Sequence, residues 1–100
     1  MNRRSPDPFD PLDGRIVDTL DLHGLSASEA VSTVTAYLAR VRKRHAGELV
    51  HIITGRGRNS PVGPVLKPKV RALLTAGSPH VASWGRDHDD GGFLVRLTDR

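Results

Sequence analysis

The chain has 100 residues, 37% of them hydrophobic, which is enough for one core of ordinary size but not for a second. It contains no cysteine, and this excludes a disulfide framework, a thiolate metal site and a cysteine nucleophile. The formal net charge is +4, no apolar stretch could serve as a secretion signal or span a membrane, and we expect a soluble, unprocessed, cytoplasmic protein.

The first 14 residues combine three prolines and three aspartates with few apolar side chains. A segment of this composition cannot bury enough apolar surface to offset the entropy that it loses on ordering. We therefore expect a flexible N-terminal arm over residues 1–14 and a folded domain over residues 15–100.

Polar and apolar side chains alternate directly after the arm, in the segment Thr19-Leu20-Asp21-Leu22-His23. A period of two predicts a strand with Leu20 and Leu22 on one face and with Asp21 and His23 on the other. Gly24 follows as a residue suited to a tight turn.

A helix is predicted next, because Ser26 and Glu29 have the spacing of a capping box. Apolar side chains then recur at intervals of three and four residues, namely Ala27, Ala30, Val31, Val34, Leu38 and Val41. This stripe predicts an amphipathic helix that ends near Gly47, where the glycine can serve as the C-terminal cap. The last turns are basic, which the negative end of the helix dipole favours.

The rest of the chain predicts three further strands and a second helix. The run Leu49–Ile53 is apolar and rich in β-branched residues, as in a central strand covered on both faces. The spacing of glycine, proline and apolar residues predicts a loop over residues 54–63 and a helix over residues 66–77. It also predicts two strands, over residues 80–84 and 93–97. A polar loop over residues 85–92 joins the last two strands.

The predicted element order is βαβαββ, which indicates an α/β domain built as a two-layer sandwich with a four-stranded mixed sheet. Right-handed crossovers leave the first three strands parallel, so their carboxyl ends share one edge. Open α/β sheets bind ligands at that edge. Three loops should meet there, over residues 21–24, 54–63 and 85–92.

Positive charge is concentrated in the middle of the chain. Residues 40–71 include nine lysines and arginines but only one acid, Glu48, so this window has a formal charge of +8. Such a window is typical of proteins that bind nucleic-acid phosphates, although a solvated helix end is the alternative. The residues of this window that we expect to contact nucleic acid are Arg42, Lys43, Arg44, Arg56, Arg58 and Lys67.

The loop after the second predicted strand reads Gly55-Arg56-Gly57-Arg58-Asn59-Ser60. It lacks the Gly-Lys-Ser/Thr ending of a Walker loop, and Ser60 stands where a dinucleotide-binding loop has its third glycine. What remains is a turn with two arginines, whose guanidinium groups can bind phosphate in a bidentate manner. The alternative is a surface loop that happens to contain arginines.

Asp21 and His23 suit acid-base chemistry on a phosphodiester. An imidazole exchanges a proton near neutral pH, and a neighbouring carboxylate can orient it or activate a nucleophile. The alternative is structural, since an Asp at a strand end often accepts hydrogen bonds from turn amides.

The acidic run Asp87-His88-Asp89-Asp90 offers ligands for Mg²⁺ or Mn²⁺. Consecutive residues cannot all face one ion, however. We therefore interpret the run as a solvated loop and assign no metal-binding residue.

Two segments resemble the signatures of the Smr (small MutS-related) domain, an LDLHG box and a TGxG box. They are Leu20-Asp21-Leu22-His23-Gly24 and Thr54-Gly55-Arg56-Gly57. The resemblance covers about residues 18–98, with Gly91-Gly92 opening the last strand. It implies a fold similar to the C-terminal domain of a bacterial translation initiation factor, and an endonuclease that nicks DNA or cleaves RNA, with DNA repair as one role.

By position, the resemblance implies that Asp21 and His23 are the catalytic pair. The residues that it implies face the nucleic acid are Gly24, Thr54, Gly55, Arg56, Gly57, Arg58, Asn59, Ser60, Gly91 and Gly92. Asn59-Ser60 stands where the family often has His-Ser, and Leu94 replaces the last glycine of a GGxG box. Binding tolerates these departures more easily than cleavage does.

Two alternatives to an endonuclease therefore stay open: a non-catalytic DNA- or RNA-binding module, and a protein-interaction domain with a basic face. The sequence leaves the cofactor unknown, with a divalent cation, Mg²⁺ or Mn²⁺, as the candidate. We expect a monomer whose partner is DNA or RNA and not a membrane.

Overall fold

A computed structural model describes residues 12–55 and 66–99 of the chain. Its elements follow the predicted order βαβαββ, and the predicted fold class is confirmed. They are β1 (Ile16–Asp21), α1 (Ala27–His45), β2 (Leu49–Ile53), α2 (Leu66–Ala76), β3 (Val81–Arg86) and β4 (Gly92–Leu97).

The four strands form one mixed sheet in the order β1-β2-β4-β3. Strand β1 is parallel to β2, and β4 is antiparallel to both of its neighbours, β2 and β3. Strands β1, β2 and β3 therefore run in the same direction, as predicted from crossover handedness. We call the edge where these three strands end and β4 begins the carboxyl edge, and the opposite edge the amino edge.

Helix α1 begins where its capping box predicts. The hydroxyl of Ser26 accepts a hydrogen bond from the Glu29 amide at 3.1 Å, and the Glu29 carboxylate accepts one from the Ser26 amide at 2.8 Å. The hydrogen bond from the Ser26 amide, followed by the nearby Ser26 hydroxyl, lowers the pKa of Glu29 below its ordinary value. The helix ends at His45, and Gly47 at φ +77° takes the chain into β2.

Replacement of Ser26 by alanine should lower the free energy of unfolding by about 1 kcal/mol, because one amide of the first turn loses its acceptor. Urea denaturation followed by circular dichroism measures this change. The control is Ser32→Ala, an exposed position inside the same helix, where the higher helix propensity of alanine should leave stability unchanged or raise it by up to about 0.5 kcal/mol. Equal losses at the two positions would show that the cap contributes nothing specific.

The main core lies between the two helices and one face of the sheet. Trp84 packs edge-on against the fully buried Phe93, with ring centroids 5.7 Å apart. Tyr37 is also buried, and its hydroxyl donates a hydrogen bond to Asp18 at 2.7 Å. Burial, followed by this contact with Asp18, raises the pKa of Tyr37. The core is Leu22, Ala30, Val34, Tyr37, Leu38, Val41, Val50, Ile52, Val70, Leu74, Phe93, Val95 and Leu97.

The second face of the sheet is covered less completely than the apolar run of β2 predicts. The helices pack on one face only, and His51, in the middle of β2, is only partly buried. Residues 12–14 lie against the other face, where the carbonyl of Asp13 accepts a hydrogen bond from Arg96. This part of the predicted N-terminal arm is thus in contact with the sheet, while residues 1–11 lie outside the described residues.

The C-terminal ends of two strands differ from prediction for local reasons. Strand β1 ends at Asp21 and not at His23, because the Asp21 carboxylate accepts the amide proton of His23 and turns the chain. Strand β3 continues to Arg86, beyond the predicted end at residue 84, because Gly85 and Arg86 pair with Leu94 and Phe93 of β4. In the described ranges, no helix has both the length and the apolar character needed to cross a membrane.

Candidate functional site

The end of β1 presents Asp21 and His23 to solvent at the carboxyl edge. Their side chains are 56% and 86% exposed, and 3.8 Å separates the Asp21 Oδ1 from the His23 Nδ1. The same Oδ1 accepts a hydrogen bond from the His23 amide at 3.0 Å. Asp21 therefore fixes the backbone of His23 and also places a negative charge beside its imidazole.

The turn after β1 is attached to both the core and the neighbouring strand. Leu22, between the two polar residues, is fully buried, and its amide donates to the carbonyl of Ile53 at 2.8 Å. Gly24 has φ +88°, a conformation that strains any residue with a β-carbon. The LDLHG segment thus combines one buried anchor, two exposed polar side chains and one left-handed turn residue.

The turn after β2 begins next to this segment, because Asp21 pairs with Ile53 in the parallel register. The amides of Thr54 and Gly55 both donate to the carbonyl oxygen of Gly91, each at 2.9 Å, and the Thr54 hydroxyl lies 3.3 Å from the same oxygen. These amides are therefore engaged within the protein. Thr54, although predicted to face nucleic acid, is buried and holds the base of the turn.

Gly92 is required by the close approach of two strands. A β-carbon at this position would lie 2.9 Å from the Cα of Ile53 and would also press against the carbonyl oxygen of Ile52. Both are backbone atoms of β2, so neither can rotate away. Gly92 thus lets β4 enter the sheet beside Thr54, which gives this glycine a structural role at the carboxyl edge.

The other predicted contact residues fall into two groups. Arg56, Gly57, Arg58, Asn59 and Ser60 lie outside the described residues. Lys67, in the first turn of α2, does lie at the carboxyl edge, where its ammonium group is 2.9 Å from the carboxylate of Asp90 and also donates to the Asp90 carbonyl. Its charge is therefore partly balanced within the protein.

The basic end of α1 lies far from Asp21 and His23. The helix runs back from the carboxyl edge to the amino edge, so Arg42, Lys43 and Arg44 are displaced by about 25 Å along the axis from its first residue. Arg42 donates a hydrogen bond to His80 at 3.1 Å, while Lys43 and Arg44 are exposed. The structure therefore does not bring these three residues together with the predicted catalytic pair.

Sequence reasoning missed a second His-Asp pair, formed by His51 and Asp87. The His51 Nε2 lies 2.8 Å from the Asp87 Oδ2, and the Asp87 side chain is only 11% exposed, so its interpretation as part of a solvated loop is wrong. Burial acts to raise the pKa of Asp87, but hydrogen bonds from His51 and the Gly91 amide outweigh it and lower that pKa. The one signal in the sequence was a histidine inside an apolar strand.

The residues that the structure describes contain no group of three or more His, Asp or Glu side chains placed to hold a metal ion. Within the acidic run, Asp87 is held by His51, and Asp90 by Lys67 and Arg86. The three carboxylates of this run therefore do not converge on one point. Asp21 and His23 alone would supply two ligands, so the fit of a divalent cation to this edge is incomplete.

Comparison with known proteins places most of the chain in one family. The model of the Smr domain matches residues 20–95, which include both Asp21 and Gly92. A relative from Treponema pallidum (strain Nichols), described as an uncharacterized protein, is 41% identical over 61 residues. That alignment covers 61% of this chain and 29% of the relative, so the chain matches under a third of the length of that protein.

Proposed function

Since this chain belongs to the Smr domain family and is a nucleic-acid-binding domain, we propose that it is an endonuclease that nicks DNA or cleaves RNA at its carboxyl edge. Asp21 and His23 are the proposed catalytic pair. The turn that starts at Thr54 and Gly55 is the proposed contact to the phosphate backbone, with Arg56 and Arg58 following it in the sequence.

One observation carries the proposal: a solvent-exposed Asp-His pair lies beside the anchored start of the glycine-rich turn. Asp21 is the register partner of Ile53, and the next residue, Thr54, is fixed to Gly91. A phosphodiester that reaches His23 therefore also lies near the first residues of this turn. Both elements stand on strand ends, and such support favours the positional accuracy that proton transfer needs.

The proposed chemistry is a displacement at phosphorus. The imidazole of His23 takes a proton from the attacking oxygen, which is either water or a ribose 2′-hydroxyl. That oxygen bonds to phosphorus while the bond from phosphorus to the leaving oxygen breaks, and the leaving oxygen receives the proton from the imidazolium. Asp21, 3.8 Å from His23 Nδ1, stabilises the imidazolium in the interval.

A second function, binding without cleavage, is favoured by a different observation. The Asp21 carboxylate already accepts a hydrogen bond from the His23 amide, and the two side chains are farther apart than a hydrogen bond allows. In this reading the pair shapes the turn, and affinity comes from the basic window between residues 40 and 71.

The test is a cleavage and binding assay on a hairpin of one sequence, prepared as RNA and as DNA and labelled at one end. Each is incubated with the wild-type protein in EDTA, in Mg²⁺ and in Mn²⁺, and affinity is measured at several salt concentrations. We expect binding that weakens as salt rises, because phosphate contacts release counterions, and cleavage of at least one of the two substrates. Binding without cleavage in every buffer would favour the second function, and no binding at low salt would refute both.

A further inference from the structure

Asp87 is held on several sides although it belongs to a hairpin turn. One carboxylate oxygen bonds to His51 at 2.8 Å, and the other accepts the amide proton of Gly91 at 2.9 Å. Its own amide donates to the carbonyl of Gly92 at 3.1 Å. A short polar turn does not need a nearly buried carboxylate, and burying one costs free energy unless directed hydrogen bonds compensate for it.

His51 is as unusual on its strand as Asp87 is in its turn. It is partly buried, 23% exposed, and its neighbours in β2 are the apolar residues Val50 and Ile52. An apolar side chain would satisfy the packing of this position at lower desolvation cost. What the histidine adds is a fixed donor that holds the Asp87 carboxylate against β2.

Gly91 connects this pair to the candidate site. Its amide is bound by Asp87, and its carbonyl oxygen accepts the amides of Thr54 and Gly55, each at 2.9 Å. A continuous path of hydrogen bonds thus runs from His51 through Asp87 and Gly91 to the turn after β2. The path starts on β2, passes through the β3–β4 hairpin and ends in the turn directly after β2.

The same hairpin is also fixed from the side of α2. Lys67 lies 2.9 Å from the Asp90 carboxylate, and Arg86 lies 3.8 Å from it. Asp90 has φ +57°, which is uncommon for a residue other than glycine. Contacts from β2 and from α2 therefore hold the hairpin from two directions, with Gly91 directly after Asp90.

We propose that His51 and Asp87 are positioning residues that set the location of Thr54 and Gly55, the first two residues of the turn after β2. The role of the turn in phosphate binding rests on the proposed function, whereas its attachment to Gly91 does not. Neither His51 nor Asp87 touches the nucleic acid. They act through Gly91, whose amide donates to Asp87 and whose carbonyl oxygen accepts the amides of Thr54 and Gly55.

The test compares His51→Gln, Asp87→Asn and the double variant with wild type. His88→Gln and Asp89→Asn are the controls, since they make the same changes at exposed positions of the same turn. Amide hydrogen exchange of Thr54 and Gly55 is measured by NMR, with the Val95 amide as the reference for global opening. Affinity for a labelled RNA or DNA hairpin is measured in parallel.

We expect exchange at Thr54 and Gly55 to be about tenfold faster in each single variant, with Val95 unchanged, and affinity to fall about fivefold. Because the pair acts as one unit, the double variant should be no worse than Asp87→Asn alone. Unchanged exchange at Thr54 and Gly55 would overturn the positioning role. If wild type binds no nucleic acid, the proposed function fails, and the exchange measurement still decides the positioning role.

Discussion

Replacement of His23 by alanine should reduce cleavage of the hairpin substrate at least 100-fold and leave its affinity within about threefold of wild type. The imidazole is the proposed proton carrier, and without it the attacking and leaving oxygens exchange protons with water alone. Folding should be unaffected, because the side chain is 86% exposed and the hydrogen bond to Asp21 uses the His23 backbone. Single-turnover cleavage with enzyme in excess separates this chemical effect from binding.

Two variants complete this experiment. His88→Ala removes an exposed histidine from the β3–β4 turn and should cleave at the wild-type rate. Asp21→Asn keeps an oxygen that can accept the His23 amide but removes the charge beside the imidazole, so it should cleave slowly while folding normally. If His23→Ala cleaved as fast as wild type, the Asp-His pair would have no catalytic role, and any measured cleavage would have to come from other residues.

Replacement of Gly92 by alanine should lower the free energy of unfolding by about 3 kcal/mol, the upper end of the usual cost of an overpacked site. The added methyl group would lie 2.9 Å from the Cα of Ile53, so relief requires β4 to separate from β2. A domain of this size has a total stability of about 5 to 15 kcal/mol, and the variant should therefore unfold at a clearly lower urea concentration.

The matched control is Gly85→Ala in the adjacent strand. A β-carbon there would lie 2.6 Å from the end of the Leu12 side chain, which can rotate away, so the loss of stability should be clearly smaller. Equal losses at the two positions would show that the contact with the β2 backbone is not what makes the substitution at Gly92 costly.

The Gly92 variant should also bind nucleic acid more weakly at temperatures where it remains folded, because Gly92 follows Gly91, the residue that anchors Thr54.

The sequence was sufficient wherever local chemistry decides structure. The capping box predicted the start of α1 at Ser26, and chain order with crossover handedness predicted that β1, β2 and β3 share a direction. Because the three strands share a direction, their ends lie together at the carboxyl edge. It was therefore predictable that Asp21 would lie near Thr54, although the two residues are 33 positions apart.

The sequence was insufficient where a contact depends on strand order. His51 and Asp87 meet because Leu94 of β4 pairs with both His51 of β2 and Gly85 of β3, and no pattern within either segment indicates this pairing. The engagement of the Thr54 amide by Gly91 was hidden for the same reason. The glycine-rich turn suggested free amides, whereas the fold uses the described ones internally.

The position of the basic end of α1 could have been predicted with the same topological reasoning. A helix that connects two parallel strands must return from one edge of the sheet to the other, so its C-terminal residues cannot lie beside the end of the strand before it. Arg42, Lys43 and Arg44 therefore lie toward the amino edge, away from Asp21, and their contact with nucleic acid stays a prediction. Their charge suggested a shared surface, but charge patterns along the chain contain no information about distance.

The length of α1 sets the distance between its basic C-terminal residues and the carboxyl edge. The basic residues at its end and the start of the helix near His23 are separated by about 25 Å, which equals the rise of about seven base pairs of B-form duplex. A duplex lying parallel to α1 would need about this length to reach from the start of the helix to Arg44. Under the proposed function, a substrate that contacts both ends of α1 is therefore longer than one that contacts the carboxyl edge alone.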